Sequence, residues 1–210
     1  MELILAAIVG YFLLAGNSKS KSDPVTPSDK LPDAPPPPVE YHPIKDRFDI
    51  AIKKYASIYK IPWQVIKAHI AVESDYGTTP QVMERKLGPG NKRGILGITE
   101  NTFLSVNRMI GANYKPDDLW KPEVSIEIGT ALIRSNTIAI SKDKDFFTRD
   151  FSGYTELQKK LQQENLIRIV MSYNAGVGAV QKGTYSQSTK DYFNKWATAF
   201  QEITERQGAA

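Results

Sequence analysis

From residue 44 onward the apolar residues recur at intervals of three and four, and almost nowhere do apolar and polar residues alternate. That periodicity predicts a mainly α fold, because it lines one face of a helix and cannot line one face of a strand. Ile44, Phe48, Ile52, Tyr55 and Tyr59 give a first stripe. "IPWQVIKAHIAVES" follows, opening on Pro62 in a first turn, where a missing N–H costs little, with Trp63, Ile66, Ile70 and Glu73 along one side. Further helices are predicted at 100–110, 122–140, 155–174 and 189–205, with Thr189 and Asp191 supplying the start of the last. The Gly-rich stretch 77–97 leaves room for a small hairpin at most.

The preceding residues belong to a different kind of chain. Residues 17–43 hold eight prolines and few large apolar groups, so they read as an extended, polyproline-like linker. Residues 3–15, "LILAAIVGYFLLA", carry no charge. At ~1.5 Å per residue the run is shorter than a hydrocarbon core of roughly 30 Å, so it spans only with help from its flanks. A cleaved signal peptide has similar length but begins on Lys or Arg; here the start is Met1-Glu2, and Lys19 and Lys21 follow the run. Residues 1–16 are therefore read as a membrane anchor in preference to a signal peptide or a buried helix. The division expected is anchor 1–16, linker 17–43 and a helical domain 44–210. Downstream lysines favour a cytoplasmic side.

"HIAVESDYG" (69–77) holds the most informative residue. Glu73 closes an apolar run just before a break at Gly77, so it is either a solvated helix-end charge or an acid kept in a semi-apolar pocket. The alternatives for catalysis are few. With no cysteine there is no thiolate nucleophile or disulfide framework, and His42 and His69 are the only histidines, which leaves little for a metal site or a Ser-His-Asp triad. No metal or cofactor is expected. Residues 1–43 hold three of the bases and five of the acids, so the body carries 24 bases against 18 acids. A basic body suits an anionic polymer or simply solubility, and no basic-aromatic motif points to nucleic acid.

Four further stretches bear on Glu73: "AVES" (71–74), "GILGITENTF" (94–103), "LWKPEVSIEIGTALI" (119–133) and "SYNAGVGAV" (172–180), with a weaker fifth, "TKDYFNKW" (189–196). In this order they resemble the lytic transglycosylase family, whose catalytic domain is lysozyme-like and related to goose-type lysozymes. The resemblance covers residues 60–196, and the Tyr-Asn-Ala-Gly match is its most specific part. It implies a peptidoglycan-cleaving enzyme in which Glu73 protonates the linkage between N-acetylmuramic acid and N-acetylglucosamine. Glu73 then acts as base on the muramyl 6-hydroxyl, closing a 1,6-anhydro ring without water. Such chemistry needs a carboxyl that stays protonated near neutral pH, and burial raises a carboxyl pKa because the charged form loses hydration.

By the same resemblance Tyr173 hydrogen-bonds the catalytic carboxyl, Asn174, Ala175 and Gly176 shape the floor, and Gly97, Ile98 and Tyr192 meet the sugar. Ser74 is either a site residue or a helix-end hydroxyl, and Tyr173 taken alone reads equally as a core aromatic. His69 lies one turn before Glu73 and either tunes it or simply packs; Asp75 is a candidate for orienting water. Several positions depart from the family pattern: Gly97 for a glutamine, Glu100 for a proline, Ser125 for an asparagine, a longer run from Glu73 to Gly94, no serine equivalent in "LGPGNKR", and a charged stretch, 141–165, as an added lobe or long connection. They fall on subsite contacts rather than on the acid. A hydrolytic lysozyme on the same fold and a non-catalytic peptidoglycan-binding or virion structural module are the alternative functions. A peptidoglycan-directed domain belongs in the periplasm, so two locations fit. One is a periplasm-facing anchor that overrides the charge bias; the other is storage within the membrane of a phage virion, with virion components as partners.

Overall fold

The computed structural model describes residues 43–151 and 153–208, with side chains through residue 206. The expected anchor (1–16), the linker up to residue 42, and His42 lie outside the described residues. Among those described, no helix is long and apolar enough to cross a membrane.

Eight α-helices follow one another among the described residues: α1 Asp49–Tyr59, α2 Trp63–Ser74, α3 Pro80–Met83, α4 Glu100–Met109, α5 Pro122–Ser141, α6 Glu156–Ala175, α7 Val177–Lys182 and α8 Gln187–Gly208, with a 3-10 turn at Pro116–Trp120. The mainly α expectation holds. The first stripe is shorter than its periodicity suggests, because α1 begins at Asp49 and Ile44 lies outside it, exposed. The last helix begins at Gln187, not Thr189. Thr189 is buried, and its hydroxyl donates to Asn174 Oδ1 at 3.0 Å instead of capping the helix. No hairpin forms at 77–97: the segment makes two isolated antiparallel bridges, Gly88 with Lys92 and Arg93 with Ile98.

Helix α2 is the axis of the domain. It packs most extensively on α8, and also on α1 and α5. Every residue from Gln64 to Ile70 is buried, as expected of a helix enclosed on all sides rather than amphipathic. Trp196 of α8, fully buried, donates its indole N–H to the Val65 carbonyl at 3.4 Å and stacks on Phe200. Enclosure forces Lys67 to be buried too, and an unpaired buried ammonium is costly. Its Nζ donates to Asp46 Oδ1 at 2.6 Å and Asp49 Oδ1 at 2.7 Å, and Arg206 Nη2 reaches Asp46 Oδ2 at 3.2 Å. This ion cluster ties the segment before α1 to the last helix.

The charged stretch 141–165 is a connection, not a separate lobe. Phe146 and Phe147 are buried in the main core and meet edge to face, while Arg149 binds Asp143 through two bonds, at 2.7 and 3.0 Å. Thr155 and Gln158 then form a reciprocal capping box that starts α6.

Candidate active site

Helix α2 ends where the candidate acid stands. Glu73 occupies its last turn, Ser74 is the final residue, and Asp75, Tyr76 and Gly77 all take left-handed backbone, with φ of 46°, 55° and 78°. This sharp stop turns the chain away and leaves the Glu73 side chain facing the segment 93–98. Asp75 points elsewhere: it is exposed and accepts from the Thr78 hydroxyl at 3.0 Å, so it has no place beside Glu73.

Segment 93–98 is the opposing wall. Its ends exchange backbone bonds, Arg93 N to Ile98 O and Ile98 N to Arg93 O, both 2.9 Å. Three side chains from three helices fix it. Ser74, fully buried, donates to the Ile95 carbonyl at 2.8 Å and accepts from Gly77 N at 2.9 Å. Ser125 accepts from Leu96 N at 3.2 Å, and the Tyr173 hydroxyl donates to the Leu96 carbonyl at 2.8 Å. The wall so held brings Gly97, at φ +57°, against the acid. A Cβ there would run into Glu73 Oε2, so any other residue would displace the carboxylate.

Two expectations are corrected by this geometry. The hydroxyl of Tyr173 donates to the Leu96 carbonyl at 2.8 Å and not to the Glu73 carboxyl, because the 93–98 turn presents that backbone acceptor to it. Ser74 is sealed from any ligand, and its hydroxyl joins α2 to the wall.

Glu73 itself is nearly buried, its side chain 6% exposed. Oε1 has no hydrogen-bond partner among the described residues, while Oε2 accepts from Lys92 Nζ at 3.2 Å. Burial pushes the carboxyl above its ordinary value, and the nearby Lys92 ammonium and Tyr192 hydroxyl pull the other way without cancelling it. Tyr192 stands behind the acid, not along the cleft: it is buried, and its hydroxyl shares a 2.8 Å hydrogen bond with His69 Nδ1. Burial and then the charge of Glu73 hold both Tyr192 and Tyr173 protonated. His69 is fully enclosed, its ring 4.5 Å from that of Tyr173, and desolvation lowers it to about 3, so it is neutral. It therefore does not act on Glu73 as a cation; it reaches the acid through Tyr192.

Two cavities meet at this point. The larger, about 570 Å³, has Ile98, Asn136, Tyr173, Asn174 and Gly176 among its walls, with Ala175 beside them. The smaller, about 230 Å³, is bounded by Glu73, Thr79, Gln81, Gly88 and Trp120. Gly97 and Lys92 line both, so the two are lobes of one groove that join beside the carboxylate. The structure thus gathers Glu73, Gly97, Ile98, Tyr173, Asn174, Ala175 and Gly176 around the groove, and places Ser74 and Tyr192 behind its walls. Lys92 and Asn136 were not singled out from sequence; the long run between Glu73 and Gly94 was the available signal for Lys92. Among the described residues no group of three or more His, Asp or Glu side chains could hold a metal ion.

A family model, the transglycosylase SLT domain, matches residues 50–195. A search of curated proteins finds no match to the chain. The matched span holds Glu73, segment 93–98 and the Tyr-Asn-Ala-Gly stretch. The chain belongs to the transglycosylase SLT domain family, with the lysozyme-like fold and peptidoglycan-degrading, lytic-transglycosylase-type function of that family.

Proposed function

We propose that the chain is a peptidoglycan lytic transglycosylase in which Glu73 alone serves first as acid and then as base. One observation carries the reading: among the described residues, Glu73 is the only acidic side chain lining either lobe of the groove. Glycosidases that attack with water or through a covalent intermediate pair two carboxylates about 5–9 Å apart. A groove with one acid suits a reaction in which the sugar supplies the missing group. Protonated Glu73 gives its proton to the glycosidic oxygen as the bond to the muramyl C1 breaks, and the muramyl N-acetyl oxygen stabilises the positive charge there. The carboxylate then takes the proton of the muramyl 6-hydroxyl as that oxygen closes on C1, leaving a 1,6-anhydro end and a regenerated acid. Asn136 and Asn174 supply polar contacts along the larger lobe; Gly97 and Gly176 let the sugar approach the backbone.

Product analysis on purified peptidoglycan tests this. Anhydro-muramyl ends are expected; reducing ends would make the protein a hydrolytic lysozyme, and no release would make it a binding module. Glu73→Gln keeps the shape and removes the proton donor, so cleavage should be abolished while the fold and wall binding persist. Activity within a few-fold of the parent would assign the acid to another residue.

Location is part of the same proposal. The uncharged run in residues 1–16 would hold the protein in a membrane and the Pro-rich residues 17–43 would let the domain reach the wall, either from the periplasmic face or from the membrane of a phage particle. The full chain should then sediment with membranes at high salt, and a chain starting at Tyr41 should be soluble and active. Recovery of a soluble form lacking residues 1–16 would show a cleaved signal peptide instead.

A further inference from the structure

Lys92 touches the one carboxylate of the groove, yet the reaction described above gives it no role. It lies in the long run between Glu73 and Gly94, its backbone held by the 3.0 Å bond from Gly88 N to the Lys92 carbonyl. Its stem crosses the floor at Gly97, where Cδ lies 3.4 Å from the position of an added Cβ. Its ammonium ends 3.2 Å from Glu73 Oε2, and the side chain is 34% exposed. It lines both lobes. A glycan strand occupying both lobes must cross the ground on which this side chain rests.

Building on the reading of Glu73 as the acid, we infer that Lys92 is a positioning residue that the glycan strand displaces: it holds Glu73 as a carboxylate in the empty groove, and the arriving strand moves the ammonium into solvent. A part-exposed ion pair on a flexible four-carbon stem is readily broken, and only the side chain has to move. Once the cation has gone, the buried carboxylate takes a proton from solvent, because burial without a counter-charge favours the neutral acid. The other titratable groups around Glu73 are Tyr192 of α8 and Tyr173 of α6, with His69 of α2 behind Tyr192, all three uncharged in this setting, and Lys86. Lys86 lines the smaller lobe but is paired with Glu84 and makes no bond to Glu73. Lys92 is thus the cation whose position differs between empty and filled grooves. The strand, by entering, prepares the acid that cuts it.

The test uses pH profiles of turnover on soluble, uncross-linked peptidoglycan strands. The profile of kcat/KM reports the free enzyme and that of kcat the complex. Activity needs protonated Glu73, so each profile falls on its alkaline side as Glu73 ionises. In the parent the fall in kcat/KM should come at lower pH than the fall in kcat. Lys92→Met should shift the kcat/KM limb to higher pH until the two limbs coincide, the kcat limb keeping its position. Lys92→Arg should keep the parent's separation. Lys92→Gln, measured with the thermal unfolding of each variant, covers a loop disturbed by methionine. Limbs that coincide in the parent, a separation that survives Lys92→Met and Lys92→Gln, or folded variants that no longer turn over would each overturn the inference. Glu73→Gln is run alongside: if it still cleaves, the assignment of the acid has failed, whereas an inactive Glu73→Gln with an unmoved Lys92→Met profile sinks the displacement alone.

Discussion

Adding one methyl group at position 97 tests how tightly the wall and the acid are fitted. Gly97→Ala has two separable costs. The backbone at φ +57° is left-handed, which costs an L-residue roughly 1–2 kcal/mol. The new Cβ also collides with Glu73 Oε2, and because the wall is bonded to Ser74, Ser125 and Tyr173, the end of the Glu73 side chain is what must shift. Gly90→Ala isolates the first cost: Gly90 has φ +71° and nothing within 4 Å of an added Cβ. At about 2–4 °C per kcal/mol for a domain of this size, backbone strain should lower Tm by roughly 2–8 °C in both variants. Only Gly97→Ala should also move the carboxyl, and misplacing a reacting group by ~1 Å costs on the order of 10²-fold in rate. The assays are thermal unfolding and turnover of soluble strands. If Gly97→Ala unfolds as Gly90→Ala does and turns over within a few-fold of the parent, the close approach does not constrain the acid. Gly97→Gln, which installs the residue common in the family, carries the same Cβ and should be no more active than Gly97→Ala.

Tyr173→Phe removes the bond to the Leu96 carbonyl and should cost about 1 kcal/mol of stability with a modest fall in kcat; a collapse in rate without a change in unfolding would mean that the hydroxyl works on the carboxyl. His69 is neutral in the fold, at about 3 against 6.5 when unfolded. The unfolded chain therefore binds more protons between those values, and stability is lost as pH falls from about 6.5 towards 3. Its slope from this residue approaches about 1.4 kcal/mol per pH unit within the window. His69→Phe should flatten that slope in urea unfolding measured across the range, and an unchanged slope would show that His69 is not the group responsible. Glu73 contributes with the opposite sign, since its raised carboxyl binds more protons in the fold than out of it, and Glu73→Gln measured in parallel separates the two.

Most helices were legible because burial on one or more faces imposes a three-to-four repeat on the sequence, and α4, α5 and α6 fall within a residue or so of their expected limits. The start of α8 was misjudged because Thr189 has the chemistry of a cap, yet it spends its hydroxyl on Asn174, which only folding brings near. The position of Glu73 at the end of an apolar helix was readable; its surroundings were not. Lys92 is 19 residues from Glu73, and Tyr192 is 123 residues from His69, so nothing local announces either contact. The choice made by the Tyr173 hydroxyl was equally hidden, because its acceptor, the Leu96 carbonyl, lies 77 residues away.

The ion cluster at Asp46 has a consequence for how the domain can be connected. Arg206, at the far end of α8, bonds to Asp46, 160 residues earlier, so the entry and exit of the described chain stand side by side. Domains with adjacent ends accept rejoining and insertion. A short splice from residue 208 back to residue 43, with new ends opened in the loop between α4 and the 3-10 turn, would leave α2 and segment 93–98 uncut. The same adjacency lets the domain be carried on a leash at one end, or set into a loop of a larger protein, without pulling its two ends apart.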